Sequence, residues 1–367
     1  MMISDSKKIT YVFKKGRSER WLKETKFPTE FLYGFPELAS QGWDVDFLED
    51  IDIGIGPPLS FLGRFLNKFS RFFGDLPIGM MSSLLLKKNR ETLPTSGLIV
   101  ATTNGIGLAL AFGRLLGFIQ VPVVLLAMGV LPLHFSIWQK WLLLTLLNQL
   151  ELLTISRAEQ KFLQEIMPDR EIGYIPFGVD QRFWFPNPEP THVDNYVLAI
   201  GNDRNRDWKT LVSAWSEDLP NLKIITSLPV VSDLENIEVI RGDWRSSMLS
   251  DEEIRELYWG AMFVVVPSRE TVQPAGQSVS LQAMACGKPV ILSNISGLWD
   301  KELMKDGENC LLVQPHDVLS LKNAIYSLLN NVSIRQTISA RARDRILFSF
   351  NVNSMADNLA QFFSKLR

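Results

Sequence analysis

Short runs of β-branched and aliphatic residues alternate along the chain with stretches of helical period. That rhythm belongs to βα units, whose parallel strands are covered by helices. In the first half the strand-like runs are ITYVFKK (residues 9–15), WDVDFLE (43–49), GLIVATT (97–103), PVVLLAMG (122–129), LELLTIS (150–156) and GYIPFG (173–178). A polar, proline-rich stretch over 180–195 shows no period and reads as a linker. A second series follows: NYVLAIG (195–201), LKIITS (222–227), IEVIRG (237–242), MFVVVPS (262–268), PVILSN (289–294) and CLLVQP (310–315). The last 50 or so residues read as helices. The pattern predicts an α/β protein of two Rossmann-like, doubly wound domains facing a cleft: 1–178, a linker at 179–194, then 195–345. The segment 346–367 is predicted as a helix packing back on the first domain.

A length of 367 residues suits two domains of ordinary size, and 46% apolar against 21% charged residues describes a globular chain. A net charge of −2 argues against a strongly basic nucleic-acid binder. Two cysteines, Cys286 and Cys310, make neither a disulfide framework nor a four-cysteine zinc site, and they fit a cytoplasmic protein. The three histidines lie far apart in sequence, against a histidine-based metal site. The opening residues are too charged for a secretory signal. The richest apolar stretch, 108–131, is interrupted by Arg114, Gln120 and Pro122, so it reads as a helix and a buried strand rather than a membrane span. A sharper membrane signal is LSFLGRFLNKFSRFF, which begins at Leu59 and ends at Phe73. It sets Phe61, Phe65 and Phe69 at helical spacing against Arg64, Lys68 and Arg71. It reads either as a helix on an anionic, inner-face membrane surface or as a core helix with its cations in water.

Candidate chemistry begins by exclusion. There is no complete G-x-G-x-x-G after a strand, no Walker A run, no H-E-x-x-H and no G-x-S-x-G. The D-x-D triplets at Asp44/Asp46 and Asp50/Asp52 read as a divalent-cation site or as an alternating strand edge. The stronger signal follows Gly201, where a strand runs through NDRNRDW into a helix. Arg204 and Arg206 there offer forked donors beside a helix N-terminus, a pairing suited to a diphosphate. The alternative is that they pair with Asp203, Asp207 or Glu217. A second loop, GQSVSLQAMACG, starts a helix at Gly276. The amides of Gln277, Ser278 and Val279 then need a cap or an anion, and Gln282 lies one turn in, as a ligand contact or a surface residue.

IPFGVD, VLAIGNDRNRDWKTLVSAW, VVVPSRE and LQAMACGKPVILSNISGLWDKELMKDGENCLLVQPHD cover most of 175–317. In order and spacing they resemble the donor-binding domain of the retaining GT-B glycosyltransferases of family four, also called group one. The resemblance implies a GT-B fold and a retaining transfer from a nucleotide-sugar donor, UDP- or GDP-linked, to a hydroxyl acceptor. That acceptor is a carbohydrate or a lipid-linked or polysaccharide precursor; no metal or cofactor is implied. Arg206 falls at the family's diphosphate-binding lysine and Asn202 at its usual arginine. The family's acidic pair aligns with Pro274 and Gln282, so Gln273, Gln277 or a backbone group must serve the donor sugar. The alternative is a non-catalytic GT-B relative acting as a binding or membrane-associated scaffold subunit. Trp244 resembles a base-stacking position, or is core. Gly34 falls nearest the acceptor side of the family's first domain, and His134 is either an acceptor contact or structural.

Overall fold

The computed structural model describes residues 8–17, 19, 21, 27–54, 76–132, 136–189, 196–241 and 249–366. Two compact units divide the chain: Met1–Ile175 together with Met355–Arg367, and Pro176–Ser354. Each is built, among the described residues, on one six-stranded parallel sheet.

In the first unit the strands are β1 (Ile9–Phe13), β2 (Val45–Glu49), β3 (Leu98–Ala101), β4 (Val123–Ala127), β5 (Glu151–Thr154) and β6 (Gly173–Tyr174). Their order is β2-β1-β3-β4-β5-β6, so the winding reverses between β1 and β3. Val12 pairs with Leu48 on one side and Ala101 on the other. Ile99, Val124, Leu125 and Leu153 are fully buried, which is why these strands read as unbroken apolar runs. The helices are α1 (Phe35–Ser40), α2 (Ile78–Ser83), α3 (Lys87–Arg90), α4 (Asn104–Leu115), α5 (Ile137–Leu147) and α6 (Arg157–Ile166). The run expected as a strand over 173–178 pairs for only two residues. Ile175 N still donates to the Thr154 carbonyl at 2.9 Å, and Pro176, with no N–H to give a ladder, comes next.

The second unit carries β7 (Tyr196–Ile200), β8 (Asn221–Ile225), β9 (Ile237–Ile240), β10 (Ala261–Val266), β11 (Val290–Ser293) and β12 (Leu311–Val313) in the order β12-β11-β10-β7-β8-β9. Its winding reverses between β7 and β10. The helices are α7 (Trp208–Ala214), α8 (Asp251–Trp259), α9 (Gln277–Ala285), α10 (Val318–Asn330) and α11 (Val332–Ser349). The proline-rich stretch is anchored at its start rather than loose. Trp184 is fully buried, stacks edge-on against Tyr258 at 5.8 Å, and its carbonyl accepts from Arg343 Nη1 at 3.0 Å. Trp259 Nε1 donates to the Phe185 carbonyl at 2.6 Å. Aromatic side chains in an aperiodic segment supply this anchorage, which hydrophobic period does not register.

The last helix, α12 (Val352–Lys365), returns the chain to the first unit. Its buried stripe is Met355, Ala356, Leu359 and Phe363. Gly34, at φ +74°, receives it: a Cβ there would lie 2.9 Å from Leu359 Cδ1 and 3.3 Å from Ala356 Cα. Gln41 Nε2 also donates to Asp357 Oδ1 at 2.8 Å. Gly34 therefore has a packing duty, since any side chain would push this helix away.

Candidate anion-binding site

Ligands of open α/β sheets bind outside the carboxyl ends of the strands where the winding reverses. In the second unit that point lies between β7 and β10, and two loops leave it side by side. The loop after β7 is set by a local turn. Asp203 Oδ1 accepts from Asn205 N at 2.8 Å, and the Asp203 carbonyl accepts from Arg206 N at 3.0 Å. Bonds to the loop after β10 then stitch the two together: Arg269 N donates to Asn205 O at 2.7 Å, Asp207 N to Pro267 O at 3.1 Å, and Asn205 Nδ2 to Gln273 Oε1 at 3.3 Å.

This stitching buries the Arg206 guanidinium, which is only 3% exposed. Its hydrogen bonds are long ones, 3.4 Å from Nε to the Ile200 carbonyl and 3.4 Å from Nη1 to Ser268 Oγ. Burial pushes its pKa below the ordinary arginine value, and the field of Asp203 opposes that shift. A guanidinium has five N–H donors, so a buried one held this sparsely has strong unspent capacity for an anion. Two glycines make room for it. A Cβ on Gly201 would collide with Arg206 Nε, and one on Gly276 would lie 3.1 Å from Arg206 Nη1 and 2.5 Å from Val266 Cγ1.

Gly276, at φ +83°, is the N-cap of α9, and no side chain caps that helix. Its first backbone hydrogen bond runs from Ser280 N to Gly276 O at 3.0 Å. The amides of Gln277, Ser278 and Val279 belong to the first turn, where the helix itself supplies no acceptor and the dipole is positive. Guanidinium and helix start thus meet across Gly276. One turn further, the buried Gln282 amide is held by Tyr258, whose hydroxyl is 3.3 Å from Gln282 Oε1 and from the Val279 carbonyl.

The candidate residues fall in different places. Gly201 and Gly276 lie against the Arg206 guanidinium, Gln277, Ser278, Val279 and Gln282 follow Gly276 in α9, and Gln273 is bonded to Asn205 beside them. Arg204 is in the same loop but exposed. Asn202 turns its carbonyl oxygen to Ser227, accepting from the amide at 2.5 Å and the hydroxyl at 2.9 Å. Trp244 and His134 lie outside the described residues, as does the segment from Leu59 to Phe73. Sequence reasoning missed Tyr258, Ser268 and Asn205. The first looks like a core aromatic in α8, and the other two reach this site only through the β7–β10 neighbourhood.

Three of the four carboxylates of the D-x-D triplets are engaged elsewhere. Asp46 pairs with Lys8 at 2.7 Å, Asp52 accepts from Glu49 N at 2.8 Å, and Asp50 from Lys15 N at 3.0 Å. The Asp46 bond to Lys8 holds that carboxyl below its ordinary range. Among the described residues no group of three or more His, Cys, Asp or Glu is placed to hold a metal ion.

The fold defined by these two units is that of the GT-B glycosyltransferases. Sucrose-phosphate synthase from Thermosynechococcus elongatus superposes at a TM-score of 0.69 with 20% identity, covering 98% of each chain. Anabaena HepE, solved in complex with UDP and glucose, does so at 0.66 with 17% identity, covering 98% of this chain and 99% of that one. Residues 197–331, within the second unit, match the family model described as glycosyl transferases group 1. An uncharacterized glycosyltransferase of Methanocaldococcus jannaschii is 32% identical over 200 residues, 54% of each chain. The alpha-maltose-1-phosphate synthase of Mycolicibacterium smegmatis is 25% identical over 230 residues, 54% of this chain and 58% of its own. The chain thus spans little more than half the length of these curated relatives.

Proposed function

We propose that this chain is a retaining glycosyltransferase of family four, moving a sugar from a UDP- or GDP-linked donor to a hydroxyl acceptor. The observation that carries the reading is the buried, sparsely bonded Arg206 guanidinium facing the uncapped start of α9. In this reading Arg206 and the amides of Gln277, Ser278 and Val279 grip the diphosphate. Charge builds on it as the glycosidic bond breaks, and fixed donors in a dry site stabilise that charge without reorganising. The departing diphosphate takes the proton of the acceptor hydroxyl, and the new bond forms on the same face of the sugar. Neither a metal ion nor a resident cofactor takes part.

Gln282 serves the donor's ribose hydroxyls through its amide, held by Tyr258. Pro274, where the family has an acid, leaves the donor sugar to Gln273, Gln277 or backbone groups. The acceptor is a carbohydrate or lipid-linked precursor of a polysaccharide, used in the cytoplasm at the inner membrane face through the segment 59–73.

A panel of UDP- and GDP-sugars tests the reading by thermal shift. A true donor at 100 times its dissociation constant adds about 2.7 kcal/mol of stability. The anomeric configuration of the product, read by NMR, then tests retention, with inversion rejecting that part. The substitutions at Pro274 and Gln282 favour a second reading, a non-catalytic GT-B subunit. Nucleotide-sugar binding without transfer or hydrolysis across the panel would select it.

A further inference from the structure

The sharpest unexplained feature of the first unit is the start of α5. Ile137 is 85% exposed, Trp138 80% and Trp141 63%. Their spacing of one, three and four residues puts them on one helix face. The opposite face, Leu143, Leu146 and Leu147, is buried in the core. The helix start is fixed by a capping box, with Gln139 N donating to Ser136 Oγ at 3.3 Å and Ser136 N to Gln139 Oε1 at 2.8 Å. Two indoles and an isoleucine are therefore held out on a rigid element, against the normal tendency of tryptophan to be largely covered.

Charge identifies what covers them. The α5 sequence IWQKWLLLTLL contains no acidic residue, and Lys140, exposed, lies on the same turn. Residues 76–150 hold five Lys and Arg against a single acidic residue, Glu91, although the whole chain carries −2. Positive charge is thus concentrated in the stretch that bears the exposed tryptophans, with Lys87 and Lys88 also exposed. Indoles beside cations suit the boundary of an anionic bilayer, where rings settle at headgroup depth. Among the described residues no helix is long and apolar enough to cross a membrane, so the contact is with a surface.

We propose that Ile137, Trp138 and Trp141 form a bilayer-insertion patch by which the first unit docks on an anionic phospholipid surface. The patch is distinct from the segment 59–73 and stands independently of the transferase reading.

The test is sedimentation of the full chain with vesicles of phosphatidylglycerol and phosphatidylcholine, and with phosphatidylcholine alone. The expected result is binding to the anionic vesicles that weakens with salt. The double variant Trp138→Ser/Trp141→Ser should lower partitioning at least about tenfold, which is what one large side chain kept from burial is worth. Because both side chains are exposed, its thermal unfolding should match that of wild type, which separates lost docking from lost folding. Lys140→Glu should weaken binding less, and only at low salt. Absence of vesicle binding by wild type, or equal binding by the double variant, would overturn the proposal. So would a wild-type dimer that the double variant dissolves without any vesicle binding, which would assign the patch to a second copy of the chain.

Discussion

Each unit reverses the winding of its sheet once, with one strand beyond β1 in the first and two beyond β7 in the second, yet the two treat the point of reversal in opposite ways. In the first, the helix leaving that point is α4, and the Thr103 side chain accepts from Ile106 N at 3.3 Å. That helix start meets part of its own need. In the second, the corresponding helix is α9, whose N-cap is a glycine with no side chain to give and a buried guanidinium alongside. A reversal of winding thus sits beside a side-chain-capped helix start in one unit and beside an uncapped helix start facing a buried guanidinium in the other. The difference at that point lies in the residue at the N-cap and the cation across from it.

The comparison breaks most readily at Arg206. Arg206→Ala should reduce sugar transfer by about 10²–10³, as expected for loss of one preorganised donor to developing charge. It should leave unfolding nearly unchanged, because the guanidinium makes only long bonds. Steady-state kinetics alongside a denaturant melt reads both, and near-normal turnover would remove Arg206 from the site. Next in size is Gly276→Ala. Its left-handed backbone and the 2.5 Å approach to Val266 Cγ1 predict a loss of about 1–3 kcal/mol, with weakened nucleotide binding, by denaturant unfolding and calorimetry.

Thr103→Ala probes the other helix end. It should cost about 1 kcal/mol of stability and leave nucleotide affinity untouched, which calorimetry would show. The smallest effect concerns Glu159, which is buried at the start of α6. Its Oε1 accepts from Val130 N at 2.9 Å, and its other oxygen has no hydrogen-bond partner. Burial raises its pKa above the usual 4.5. A carboxyl with a raised folded pKa contributes stability that is complete below the unfolded value and is lost as pH climbs through the folded one. Stability should therefore fall as pH rises from about 4.5 through that raised value, and Glu159→Gln should flatten this part of the profile. An unchanged slope in the variant would locate the titration elsewhere.

Much of the architecture was legible because buried parallel strands must be apolar on both faces, and runs such as VVLLA and MFVVV show it directly. The two site loops were legible for a related reason. A glycine at a strand end followed by arginine, and a glycine before a helix without Ser, Thr, Asp or Asn, each leave a recognisable polar deficit. What escaped was partnership. Ser268 and Tyr258 lie 62 and 52 positions from Arg206, and no local period links them. The two arginines of NDRNRDW looked equivalent as well, yet one is buried and the other exposed.

The chain by itself determined its alternating elements, its two parallel sheets and the loops where glycine, arginine and an uncapped helix start fall, because burial pattern and turn chemistry are local properties. Tertiary structure alone decided which arginine is enclosed, that Gln282 is gripped by Tyr258, that Gly34 seats the last helix, and that two tryptophans of α5 face outward. Those outcomes depend on which strands become neighbours, and strand order is set by the winding of the whole sheet rather than by any single segment.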